Sequence, residues 1–131
     1  MPTAWKRRRP LACAVVLAFA ALTTPAASAE AAVVVFDDGG YGKALVKPDA
    51  YRYNNHDYLS SMRWRAWGGP KTRGVGTANI IVCKPDCASG HYRKTPVKAT
   101  FSNLTRYRGR RAYTCLTLRF QAAATQRWGS C

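Results

Sequence analysis

The sequence predicts an all-β fold: a small antiparallel β-sandwich or open barrel, tied by disulfides, that follows an N-terminal signal peptide. Three observations lead there. Runs of alternating apolar and polar residues recur from Tyr58 to Gln121, parted by Gly, Pro, Asn and Asp; a period of two belongs to half-buried strands. No segment of the body keeps apolar residues at helical spacing over the roughly 11 residues that reveal a helix. Four of the five cysteines, Cys83, Cys87, Cys115 and Cys131, lie in that body. An even count in an exported chain implies disulfides.

Export is read from the first residues. Lys6–Arg9 is basic, Leu11–Leu22 is apolar, and Ala27-Ser28-Ala29 is a small-x-small site. That order is the layout of a secretory signal. The apolar run is shorter than the roughly 20 residues of a permanent membrane anchor. Cleavage after Ala29 is expected, with a secreted mature chain starting near Glu30. Arg8-Arg9 matches the twin-arginine signal only in part. Cys13 stands at the head of the apolar run rather than after it, which argues against lipidation.

The domains expected are a signal peptide over 1–29, an irregular N-terminal arm with a short strand over 30–57, and an antiparallel β domain over 58–131. In the arm, Val33–Phe36 is β-branched and ends at the turn Asp37-Asp38-Gly39-Gly40. Pro48, Asn54, Asn55 and Asp57 break up the stretch from Tyr41 to Asp57, leaving one short strand near Ala50–Tyr53. Tyr58–Trp67 is the first long strand. Its alternation puts Met62 and Trp64 inward with Tyr58, Ser60 and Ala66, and puts Arg63 and Arg65 outward with Leu59, Ser61 and Trp67. Thr72–Val82 is the second, and its Gly74 and Gly76 suit a bulge or a close backbone approach. A Cys83–Gly90 loop precedes the third strand, Thr95–Leu104, which turns Val97, Ala99 and Phe101 one way and Lys98, Thr100 and Ser102 the other. A basic loop, Thr105–Arg111, leads to the fourth, Ala112–Gln121. There Ala112, Thr114, Leu116, Leu118 and Phe120 share a face, opposite Tyr113, Cys115, Thr117 and Arg119. The tail, Ala122–Cys131, has room for one helical turn.

Three disulfide connectivities are open, and Cys83–Cys87 with Cys115–Cys131 is the favoured one. A zinc site is disfavoured because the spacing lacks paired C-x-x-C units and no histidine is close in sequence.

Trp64-Arg65-Ala66-Trp67-Gly68, Gly74-Val75-Gly76-Thr77, Cys83-Lys84-Pro85-Asp86-Cys87-Ala88-Ser89-Gly90 and Pro96-Val97 together resemble a group of small secreted actinobacterial proteins of unknown function. The resemblance covers about Tyr58–Leu118 and implies no activity. Relatives of that pattern often carry a further cysteine in the loop before the last strand, where this chain has Tyr107.

The formal charge is +15, from 21 Lys+Arg against 6 Asp+Glu. Four cations lie in the signal, so 17 face all six acids in the mature chain, for +11. Beyond position 58 fourteen cations face Asp86 alone, for +13. Such a surface attracts an anionic polymer or an acidic protein. In a meander, the loops Gly68–Arg73 and Thr105–Arg111 share an end of the sheet. Lys71, Arg73, Arg106, Arg108, Arg110 and Arg111 are therefore the candidate anion-binding residues, since guanidinium groups grip phosphate or carboxylate bidentately.

Arginine also alternates with rings in Tyr51-Arg52-Tyr53, Arg63-Trp64-Arg65 and Arg106-Tyr107-Arg108. Basic grooves with stacking rings bind single-stranded nucleic acid. A strand that buries its rings and solvates its arginines produces the same pattern, and Arg63-Trp64-Arg65 is better read so; Tyr107, in a loop, is the exception. No catalytic motif stands out. The only histidines are His56 and His91, and no Glu follows Glu30. No catalytic, metal or cofactor residues are therefore assigned. The expectation is a non-enzymatic secreted protein with an anionic partner. A protease inhibitor presenting Lys84 in the Cys83–Cys87 loop is the alternative, and a nuclease using His56 and His91 stands behind it. Oligomeric state is left open.

Overall fold

The computed structural model describes residues 25–26 and 30–131, so the signal-peptide expectation falls almost wholly outside the described residues. The chain is all-β, as expected. Its strands are β1 (Val35–Phe36), β2 (Ala44–Leu45), β3 (Tyr51–Arg52), β4 (Tyr58–Arg65), β5 (Thr72–Val82), β6 (His91–Tyr107), β7 (Arg110–Phe120) and β8 (Gln126–Gly129). A 3-10 turn, Asp38–Gly40, joins the first two. Strands β3 to β8 make one antiparallel sheet in sequence order, curled into half a barrel, and β1 pairs with β2 apart from it.

The inner face of that sheet carries Leu59, Met62, Trp64, Ala78, Val97, Ala99, Phe101, Leu116 and Leu118, all buried. The segment expected to be an arm is the layer that covers them: Val33, Val35, Tyr51 and Tyr53 belong to the same core. Two indoles tie the layer down. Trp64 Nε1 donates to the Pro48 carbonyl at 2.7 Å and Trp67 Nε1 to that of Val33 at 2.8 Å. The edge of β7 beyond β8 is met by the residue that leads into β1. Val34 bridges to Ala112, and these two pack with Phe36 in a small second core.

Strict alternation fails at two places, each marked by a non-glycine residue at positive φ. The β4–β5 register slips between Ser60 and Arg63, where Ser61 has φ 52°. This bulge turns Leu59 inward beside Met62, although alternation put it outward. Asn103, at φ 53°, interrupts the β6–β7 ladder between Ser102↔Cys115 and Leu104↔Tyr113. Beyond it Tyr113 faces the core and stacks on Phe101, rather than sharing the face of Cys115. Trp67 also comes inward, because β4 ends at Arg65 and Ala66 reverses the chain at φ 45°.

Three boundaries differ from expectation. Strand β6 is longer than Thr95–Leu104 because its eleven pairs with β5 run from Phe101 back to His91. Pro96 is tolerated there because β7 pairs with β6 only from Val97 onward. Most of the Thr105–Arg111 loop is strand; only Arg108 and Gly109 turn, at φ 48° and 75°, as in a type I′ hairpin. The tail forms strand β8 instead of a helical turn. It pairs with β7 from Cys115↔Gly129 to Leu118↔Gln126, and the Cys115–Cys131 disulfide fastens it. Both favoured disulfides, Cys83–Cys87 and Cys115–Cys131, are present.

Candidate functional site

Register, rather than loop proximity, gathers the cations. With Met62 and Trp64 inward, Arg63 and Arg65 must point out. Pairing then aligns Arg63 with Val75, Lys98 and Arg119 in one row across four strands. The next row runs Arg65, Arg73, Thr100, Thr117 and Arg127 across five. Strands lie about 4.8 Å apart, and successive outward residues of one strand are about 7 Å apart. Arg63, Arg65, Lys71, Arg73, Lys98, Arg119 and Arg127 are all exposed, and they line one open depression of about 860 Å³. Val75, Thr100 and Thr117 lie among them, and no Asp or Glu side chain lines it. An adjoining depression of about 760 Å³ shares Arg63, Val75, Lys98 and Arg119.

Most of the acids are engaged elsewhere. Asp37 accepts from the Arg52 amide, Asp57 from the Ile81 amide and from Asn54, and Asp86 from the Ser89 amide. Among the described residues the only ion pair joins Arg111 to Glu30. On the outer face like charges stand directly opposite each other, Arg65 against Arg73 and Lys98 against Arg119. Cross-strand pairs of that kind destabilise a sheet.

The six cations expected to form one site separate into two groups. Thr72 pairs with Phe101, so Lys71 and Arg73 lie level with the middle of β6. Arg106, Arg108, Arg110 and Arg111 occupy the hairpin end, past Phe101 by six residues at Tyr107, or about 20 Å of strand. There Arg108 donates to the Gly42 carbonyl at 2.8 Å and lies 4.7 Å from the centre of the Phe36 ring, and Arg111 meets Glu30. Arg106 and Arg110 remain exposed. The outward placement of Arg63, Arg65, Lys98 and Arg119 was legible in the alternation; their alignment in rows was not.

The histidine segments converge at the opposite end of the sheet, where Tyr92 Oη donates to the His56 carbonyl at 2.9 Å. Cys83–Ser89 is exposed throughout. No group of three or more His, Cys, Asp or Glu that could hold a metal occurs among the described residues.

A third depression, of about 320 Å³, lies between β8, the β6–β7 hairpin and the Asp38–Gly40 turn, and is rich in rings. Burial, with a smaller contribution from Asp37, holds the Tyr51 phenol well above the ordinary tyrosine range. Burial and then Asp57 do the same for Tyr53. Both phenols stay neutral, and that of Tyr51 donates to the Phe36 carbonyl at 3.1 Å.

No family profile, curated protein or solved structure matches the chain. The functional reading therefore rests on the charge, register and cavities of the sheet itself.

Proposed function

We propose that this is a secreted, basic, non-enzymatic protein that holds an anionic partner across the outer face of its sheet. The partner class is a cell-wall polymer, a nucleic acid or an acidic protein. One observation carries this reading: seven exposed cations line a single depression that holds no Asp or Glu side chain. Directly opposed cations are a cost to the fold, and a surface that keeps them is best explained by a ligand that neutralises them. The two disulfides suit an oxidising compartment. No helix of the described residues is long and apolar enough to cross a membrane.

The test compares two triple variants that lose the same charge. R63Q/K98Q/R119Q alters the rows; R93Q/R106Q/R110Q alters the strand and hairpin end. On heparin or single-stranded DNA, the first elutes at clearly lower salt, and its log Kd against log salt is shallower by about 0.7–0.9 per lost contact. The second stays close to wild type. Equal loss in both would mean that net charge alone drives binding, which refutes the face. Loss only in the second would favour the hairpin arginines.

A second reading is favoured by one feature. The Cys83–Cys87 loop is exposed and braced, with Asp86 Oδ1 accepting from the Ser89 amide at 2.8 Å. That suits an inhibitor presenting Lys84 to a trypsin-like protease. Protease activity that is unchanged by a stoichiometric amount of protein would dismiss it.

A further inference from the structure

Where the outer face reaches the β8 edge, it meets the ring-lined depression. Strand β8 is the partition. Arg127 and Cys131 line the basic side, Trp128, Gly129 and Ser130 line the aromatic side, and Cys115 lines both. At the aromatic side Tyr41 is 86% exposed and Tyr107 is 38% exposed, so both rings stand at the mouth. Tyr53 lies deep, at 3%, with its ring 5.3 Å from that of half-buried Trp128. Tyr53 Oη and Trp128 Nε1 are buried, and neither has a hydrogen-bond partner among the described residues. Buried polar groups in folded proteins are nearly always paired. Both belong to residues that line the same cavity, and a small shift of either ring would let an acceptor from outside the chain reach its donor. Burial keeps the Tyr53 phenol protonated, which suits it to donate.

We infer that this cleft receives a base of single-stranded nucleic acid, whose phosphates run over Arg127 onto the basic rows. The inference rests on the anion-binding reading above and names its partner. The chemistry of the candidates separates them. Nucleic acid sets an uncharged flat ring, bearing carbonyl and ring-nitrogen acceptors, beside every charge, and such rings stack on aromatic side chains. Polysaccharides with sulfate or carboxylate carry the charge on the ring, so inserting the ring would bury the charge. Polyol phosphates have no ring to insert. A duplex keeps its bases stacked and paired. A cleft of about 320 Å³ is at the small end of ligand sites and suits one base with its sugar. Because β8 is the edge strand, a single strand can pass over it from the cations to the rings.

The experiment uses the mature, disulfide-bonded protein and fluorescence anisotropy at fixed salt. The probes are a short oligothymidylate and an abasic oligomer with the same number of phosphates. The expected result is roughly ten-fold tighter binding of the base-bearing strand, the scale of one base–ring stack. Y53F keeps its ring and removes the phenolic donor; W128F removes the indole donor and exchanges the indole for a smaller ring, so it weakens the stack as well. Each lowers that ratio toward one while leaving the abasic affinity unchanged. Thermal melting confirms that both fold, and Y53F alone suffices if W128F does not. Equal binding of the two probes by the wild type overturns the base cleft and leaves a polyanion site standing. An unaltered ratio in a folded Y53F also overturns it. Failure of both probes to bind, where heparin binds, overturns the nucleic-acid partner but not the basic face. Failure of all three refutes the anion-binding reading itself.

Discussion

Replacing Gly74 by alanine tests how tightly the sheet is packed against its tryptophan. Gly74 pairs with Trp64 on β4 and with Ala99 on β6, and its missing side chain would point inward. A methyl group built there lies 2.5 Å from Trp64 Cε3 and 2.9 Å from two further ring atoms. Real contacts of that kind need at least about 3.4 Å, so the ring must retreat by close to 1 Å. It has nowhere to go cheaply. Its Nε1 is bonded to the Pro48 carbonyl at 2.7 Å, and its ring is 5.0 Å from Phe101 and 5.5 Å from Trp67. Overpacking of this kind costs about 1–3 kcal/mol. Loosening the buried hydrogen bond adds about 1 kcal/mol. Reduced freedom of the unfolded chain returns about 0.4–1 kcal/mol. The expected net loss is about 2 kcal/mol, read as a lower urea midpoint with unchanged m in the oxidised protein. Gly69→Ala is the control. Its nearest atom is the Lys71 carbonyl oxygen at 3.7 Å and its φ is not positive, so it stays within about 0.5 kcal/mol of wild type. A neutral or stabilising G74A would show that Trp64 is free to shift, and that the indole does not fix the N-terminal layer as described.

Two further outcomes are expected. Removing the Cys115–Cys131 bond as a double serine variant costs about 3 kcal/mol for its separation of 16 residues, and removing Cys83–Cys87 about 2 for its separation of 4, on the chain-entropy account; the first also frees β8 and weakens binding to single strands, whereas the second leaves that binding unchanged. Stability holds from neutral pH to about pH 10 and then falls by about 1.4 kcal/mol per pH unit for each of Tyr51 and Tyr53, because the unfolded phenols ionise there while the buried ones, raised above that range, do not; denaturant melts across alkaline pH should show Y51F with a shallower decline, and an identical slope would remove Tyr51 from the account.

Much of the sheet was legible because its signals are local. Strand β5 was bounded by Pro70 on one side and Cys83 on the other, and the inward pair Met62 and Trp64 followed from alternation. Two of the misassigned residues share one cause. Leu59 and Tyr113 lie beyond Ser61 and Asn103, whose left-handed backbones shift the alternation, and neither position carries the glycine that would announce it. Strand β8 was missed because Gln126–Gly129 has no apolar alternation; a disulfide and the partial burial of Trp128 hold it instead. The candidate face was half legible. Alternation pointed four of its cations outward, but rows such as Arg63, Lys98 and Arg119 depend on register, and register depends on where a hairpin turns. Reading Thr105–Arg111 as a loop hid the two-residue turn at Arg108–Gly109, so the alignment could not be extended across β6 and β7.

The bridge between Val34 and Ala112 ties the segment that opens the fold to the last long strand, through Val34 N to the Arg111 carbonyl and Tyr113 N to that of Val34, both at 3.0 Å. A chain emerging from its N-terminus can zip β4 to β5 and β5 to β6 as each appears, since neighbours in sequence are neighbours in space. The Val34 bridge has no such neighbour: its partner is the last long strand, so it closes only once that strand is in place. A chain cut before Ala112 would therefore lose the strand that receives Val34, and with it the small second core of Val34, Phe36 and Ala112.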